Sequence, residues 1–175
     1  MFDATLRQAK DRVGTPLALR LGAVSPNAVS VGGFVVGLIA AWQASQGNGV
    51  AAVILWLFSR ILDGLDGLIA RLHGKQSDFG GYLDIVLDFV VYAAVPIGLT
   101  LNEPGLDRFI ALAVMLSSFY VNAASWMMLA AILEKRGRIE DGLTTVTMPP
   151  GLIGALETIA AYTAFLLWPE QTVWL

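Results

Sequence analysis

Four aspartates, Asp63, Asp66, Asp84 and Asp88, fall within the stretch DGLDGLIARLHGKQSDFGGYLDIVLD, residues 63–88. It is flanked by two strongly apolar runs, GVAAVILWLF and FVVYAAVPIGL. An ionised carboxylate at bilayer depth costs at least about 2.5 kcal/mol on insertion scales, so four at one seam need a compensating partner. On a helix turning about 100° per residue, Asp63 and Asp66 stand about 60° apart with Ala70 between them. Gly67 borders that face and permits close approach of backbone or ligand. Gly80, Asp84 and Asp88 form an i, i+4, i+8 stripe on the next helix. The short connection RLHGKQSD makes the two helices antiparallel neighbours whose acidic faces meet. At about 1.5 Å per residue, Asp63 lies about 22 Å from the outer end of its helix, which puts the cavity in the inner leaflet.

Four carboxylates in one small cavity repel one another and cannot all ionise without cations. Oxygen-only donors suit Mg²⁺ or Mn²⁺. Two such ions make a clamp for phosphoryl transfer, stabilising attacking and leaving oxygens. Arg71, one turn beyond Gly67, offers a cationic donor to a diphosphate. Arg60, one turn before Asp63, either balances the acidic cluster or touches substrate. The simpler alternatives are solvation at a helix end, which suits Asp78, and pairing with Arg60 across the bundle. With no cysteine there is neither a disulfide nor a thiolate site. A single histidine, His73, excludes a multi-histidine metal centre within the chain, and its loop position suits solvation better than catalysis.

These residues need helices to carry them. Of 175 residues 56% are hydrophobic and only 14% charged, against about 25% charged in soluble domains. The composition is that of a membrane protein, read as one compact domain over 1–175. Residues 1–22 form a juxtamembrane amphipathic helix, with Phe2, Leu6, Val13, Leu17 and Leu21 on an apolar side and Arg7, Lys10, Arg12 and Arg20 toward water or headgroups. No cleavable secretory signal opens the chain. Ser25 or Asn27 is a capping candidate for a first span over 27–46. Further spans cover 48–72, 80–101, 106–133 and, after the Met148-Pro149-Pro150 breaker, 151–169, each near the roughly 20 residues a bilayer requires. Lysine and arginine set the orientation: the N-terminal cluster, Arg71, Lys75, Lys135, Arg136 and Arg138 share one side and only Arg108 the other. The N-terminus and the aspartates are therefore cytoplasmic. Nothing in the sequence points to nucleic acid as a partner.

The aspartate stretch resembles the signature of the CDP-alcohol phosphatidyltransferase family, D-x2-D-G-x2-A-R-x8-G-x3-D-x3-D. Asp63, Asp66, Gly67, Ala70, Arg71, Gly80, Asp84 and Asp88 fill it without a gap. The resemblance implies an all-α integral membrane bundle in a bacterial-type inner membrane, a homodimer, with usually six spans where five are visible here. An apolar tail at PEQTVWL is compatible with the start of another helix. It also implies transfer of a phosphatidyl group from CDP-diacylglycerol to a small alcohol acceptor, with release of CMP and dependence on Mg²⁺ or Mn²⁺. On that reading Asp63, Asp66 and Asp84 are metal ligands and Asp88 is both ligand and general base. Gly67, Ala70, Arg71 and Gly80 border the CDP group, and the segment Pro26-Asn27 with Ser30 lies near the nucleotide, unless it serves only as a cap. Many members with phosphorylated acceptors carry Arg or Lys after the last aspartate, where this chain has Phe89. Such a phosphate would fall to Lys135, Arg136 or Arg138, which otherwise simply enforce topology.

A divalent-cation transporter and an intramembrane prenyltransferase are the rival classes. The second usually splits its acids between distant helices; the first needs polar residues in both membrane halves. Among the remaining signals, Gly33-x3-Gly37 is a close-packing face, and Ser118, Asn122 and Ser125 form a polar stripe suited to interhelical hydrogen bonds. Trp42, Trp168 and Trp174 read as outer interfacial anchors; Trp56, Trp126, Met127 and Met128 read as packing. Glu157 is expected to be buried and to face the site or a partner.

Overall fold

The computed structural model describes residues 14–136 and 155–171. Arg138, Trp174, the 148–150 breaker and the sequence before residue 14 lie outside them. A helical segment α1 (14–20) precedes α2 (Pro26–Ser45), α3 (Gly49–Leu72), α4 (Asp78–Asn102), α5 (Leu106–Lys135) and α6 (Ala155–Leu167). No strand occurs among the described residues. The helix ends agree with the expected spans to within a few residues. Helices α2, α4 and α5 are each long and apolar enough to cross a membrane. Helix α3 has a spanning length of 24 residues but carries Arg60, Asp63, Asp66 and Arg71, and α6 has 13 residues. The chain is an integral membrane helical bundle.

Helix α2 is the shared wall. Its buried residues are Gly33, Gly37, Ala40, Ala41 and Ala44, a stripe of small side chains that lets both α3 and α4 come close. A Cβ on Gly98 of α4 would collide with the Ala41 carbonyl oxygen, so backbone meets backbone there. The close-packing face over Gly33 and Gly37 therefore serves contacts within the chain. The acidic faces of α3 and α4 meet as expected, but through side chains: both helices lie against α2 and approach each other at few points. The gap between them is bridged by the Arg60–Asp88 ion pair at 2.7 Å.

The turns follow from their glycines. Helices α2 and α3 end alike, with Gly47 at φ +74° and Gly74 at φ +62° just past the cap. Asn48 then donates to the Gln43 carbonyl and Lys75 to the Ala70 carbonyl, the six-to-one bond of a Schellman motif. Ser77 caps α4 by accepting from the Gly80 amide at 3.0 Å. Ser25 occupies the corresponding place before α2 but makes no capping bond with its side chain. Beyond Gly74, Lys75 Nζ donates to the carbonyls of Gly22 and Val24, and His73 Nε2 lies 3.0 Å from the Ala18 carbonyl. His73 thus helps tie the N-terminal segment to the α3–α4 turn. Ala18 is buried against Leu65, Leu68 and Ile69, with Leu21 packed alongside, whereas Leu17 faces outward.

Pro96 lies inside α4 and has no amide to offer the Tyr92 carbonyl four residues earlier. The Tyr162 hydroxyl of α6 donates to that oxygen at 2.7 Å. Tyr162 also stacks on Trp56, with ring centroids 5.0 Å apart. A proline gap in one helix is thereby filled by a side chain from another, within a core that includes Trp56, Val91, Val95 and Leu99.

Helix α5 departs from expectation. Ala130 is its one buried residue among those described, because it meets the bundle mainly along α4. Met127 and Met128 are exposed and Trp126 is half-buried, so they are not core packing. Ser118 donates to the Met115 carbonyl of its own helix, and Asn122 and Ser125 are exposed, so this stripe does not serve as interhelical glue. Trp42 and Trp168 are exposed near the ends of α2 and α6, as anchors at one interface would be.

Tyr162→Phe is expected to cost about 1–3 kcal/mol by leaving the Tyr92 carbonyl buried without a donor. In a Pro96→Ala background the restored amide should remove most of that cost. Denaturant titration of the detergent-solubilised protein measures both; equal losses in the two backgrounds would refute the pairing.

Candidate functional site

Three helices supply one cavity. Ser30, Gly33 and Phe34 come from α2, Arg60 and Asp63 from α3, and Asp84, Leu87, Asp88 and Val91 from α4. The cavity measures about 10 Å³, the space of one water or ion. Small residues on α2 make it possible. A Cβ on Gly33 would touch Leu62 Cβ at 3.3 Å, and one on Gly37 would meet the Val91 methyls at 2.7 and 2.8 Å. Ser30 was singled out together with Pro26-Asn27 and does line the cavity, whereas Phe34, Leu87 and Val91 were not singled out from the sequence. Only the glycine spacing on α2 hints that this helix faces the acids.

Asp63, Asp84 and Asp88 meet here as the stripe spacing predicts. Asp66 is 4% exposed on the buried side of α3 and does not line this cavity. Arg60 enters from the same helix as Asp63 and resolves the alternative posed for it. Its Nη1 donates to Asp88 Oδ1 at 2.7 Å and stands 3.8 Å from Asp63 Oδ1, so it balances the acidic cluster. The side chains of Asp63 and Asp88 keep 29% exposure, so the cluster opens outward.

Among the described residues no three carboxylates stand close enough together to share a single ion. The donor chemistry nonetheless suits a divalent cation. Three carboxylates face one guanidinium in the cavity, an excess of hard, negative oxygen that only further positive charge can balance.

The other motif residues lie toward the turn between α3 and α4, Gly67 one helical turn after Asp63 and Gly80 one before Asp84. Gly80 lies against Asn27, whose Oδ1 would be 3.1 Å from an added Cβ. Gly67 lies under Arg71, whose Nη1 would be 3.2 Å from one. Ala70 is half-buried on the same helix. Lys135 and Arg136 are exposed at the end of α5 and do not line the aspartate cavity. Glu157 is exposed rather than buried, and it borders a separate cavity of about 480 Å³ between α4, α5 and α6, away from the acids. Its expected burial is corrected because α5 stands off from α6 and leaves that space open.

Comparison with known proteins gives a consistent result. Residues 23–171 match the family model described as CDP-alcohol phosphatidyltransferase. Inner membrane protein YnjF of Escherichia coli (strain K12) is 33% identical over 148 residues, covering 83% of this chain and 71% of that protein. Archaetidylinositol phosphate synthase of Pyrococcus horikoshii is 34% identical over 118 residues, 67% of this chain and 61% of that one. The crystal structure of Mycobacterium tuberculosis phosphatidylinositol phosphate synthase with CDP-DAG bound superposes with a TM-score of 0.69 at 24% identity, covering 93% of this chain and 82% of that chain. That last likeness is one of fold.

Because the cavity depends on the closeness of α2 and α4, Gly37→Ala should destabilise the protein by about 1–3 kcal/mol through overpacking against Val91. Adding Val91→Ala vacates that space and should recover most of the loss. Thermal unfolding of the single and double variants decides it, and purely additive losses would contradict the contact.

Proposed function

This chain belongs to the CDP-alcohol phosphatidyltransferase family, and on that premise we propose that it moves a phosphatidyl group from CDP-diacylglycerol to a small alcohol. The chain is a membrane-embedded transferase of phospholipid biosynthesis. The observation that supports the finer reading is the convergence of Asp63, Asp84 and Asp88 from two helices on one cavity. Of the other signature residues, Gly80 lies against Asn27 and Gly67 under Arg71, and these are the groups that would border the nucleotide.

In the proposed reaction the acceptor hydroxyl attacks the β-phosphorus of the CDP-lipid. Asp88 takes the hydroxyl proton, a new phosphorus–oxygen bond forms, and the bond to the CMP phosphate breaks, so CMP leaves with the bridging oxygen. Asp63, Asp66, Asp84 and Asp88 would hold Mg²⁺ or Mn²⁺, two ions on this reading, which supply positive charge to the diphosphate. Arg71 adds a fixed cation for the leaving phosphate. A cavity some 10 Å³ in volume has the space of one ion, so the diphosphate and cytidine would lie outside it, on the side of Asn27 and Gly80. The lipid tails stay in the bilayer. On this reading the site faces the cytoplasm, which the distribution of Lys and Arg supports, and two copies form the working unit, as the family resemblance implies.

For the acceptor, inositol phosphate is the first choice to test. The Pyrococcus and Mycobacterium relatives are named for inositol phosphate products, whereas Phe89 on α4 provides no cation of its own.

Purified protein with CDP-diacylglycerol and Mn²⁺ should release CMP with one of inositol phosphate, glycerol 3-phosphate, inositol or serine. Asp88→Asn should lower that rate by about 100-fold or more, and chelation should abolish it. Gly67→Ala presses only on the far end of the Arg71 side chain, so it should weaken CDP binding while leaving the melting temperature unchanged. Protein that binds neither CDP nor metal would sink the reading.

A further inference from the structure

Among the described residues Arg60 is the single buried basic side chain, 6% exposed in the middle of α3. Both of its terminal nitrogens are held. Nη2 donates to Ser59 Oγ at 3.1 Å, and Nη1 reaches Tyr92 Oη at 3.4 Å as well as Asp88. The guanidinium carbon lies 4.9 Å from the Trp56 ring centroid and 5.2 Å from that of Tyr92, a double cation–π seat. Tyr162 of α6 braces both rings, stacking on Trp56 and donating to the Tyr92 carbonyl. A side chain with this many fixed partners has little freedom left, and arginine does not lose its proton.

We propose that Arg60 is a positioning residue for the phosphatidyl transfer. Its Nη1 pins Oδ1 of Asp88, which leaves Oδ2 as the oxygen that takes the acceptor proton. By reaching Asp63 at 3.8 Å as well, it also sets how far apart the carboxylates of α3 and α4 stand. This rests on the reading of Asp88 as general base. Nothing in the family signature requires it, because Arg60 precedes the first motif aspartate by three positions. Its role comes from geometry alone.

The test compares wild type with Arg60→Gln and Arg60→Lys in detergent. Arg60→Gln should lower kcat by about 100-fold while KM for CDP-diacylglycerol moves less than about threefold, the pattern of an interaction that matters in the transition state. Arg60→Lys keeps the charge but cannot grip Ser59 and Asp88 together, so it should recover only part of kcat. A second readout needs no turnover. The melting temperature of Arg60→Gln should fall in EDTA and largely recover on adding Mn²⁺, which can replace the lost positive charge between Asp63 and Asp88. Wild type should respond less to the same addition. An unchanged kcat together with equal melting losses in EDTA and Mn²⁺ would overturn the proposal and leave Arg60 a packing group. A wild type that binds CDP-diacylglycerol but transfers nothing would count against the proposed reaction, while the melting comparison would still decide whether Arg60 governs the aspartates.

Discussion

Charge buried at membrane depth governs this structure. A guanidinium and three carboxylates share a cavity where three helices meet, and no member of that group is tolerable there alone. Their mutual attraction acts across the gap between α3 and α4, two helices that make little direct contact. Everything else arranges the surroundings so that this cluster can exist. The aromatic rings of Trp56 and Tyr92 wrap the cation in polarisable surface, and the outward opening lets the carboxylates keep part of their hydration.

Small residues make the second contribution, and they do so by omission. Lipid gives helices no hydrophobic reason to associate, so close approach has to come from van der Waals contact along surfaces without bulk. Gly37 against Val91 and Gly98 against the Ala41 carbonyl bring α2 and α4 together. Gly33 does the same toward α3. The acids are thereby presented on two helices whose relative position is fixed by a third that carries no acid at all.

Much of this was legible in the residues. The helical limits followed from hydropathy and from glycines at the turns, and the i, i+4, i+8 stripe placed Asp84 and Asp88 on one face because helical geometry leaves little choice. What escaped had a common physical cause: it depended on which helices touch. The short connection identified α3 and α4 as neighbours, but a connection constrains ends, not the whole length of two helices, and the part of α2 as the wall both lie against was not read. Glu157 looked buried because an acid in an apolar run ought to be, whereas the neighbouring α5 stands apart and leaves it exposed. The Ser118 stripe looked like interhelical glue, yet a serine in a helix can satisfy itself on its own backbone, as it does with Met115. Arg60 stood midway, its two roles undecided until the partner on α4 was known.

Pro96 carries a consequence for how the chain assembles. A bilayer contains no water able to serve a bare carbonyl, and each such group costs several kcal/mol there. The Tyr92 oxygen obtains its donor from Tyr162, seventy residues later in the chain. A nascent protein whose first helices have already entered the membrane therefore holds an unmet debt inside α4 until the last described helix arrives. Docking of α6 relieves it, and in the same movement closes the aromatic seat around Arg60. Completion of the backbone and completion of the acidic cluster thus fall on a single late event, which ties the quality of the site to the arrival of a segment that contributes no acid to it.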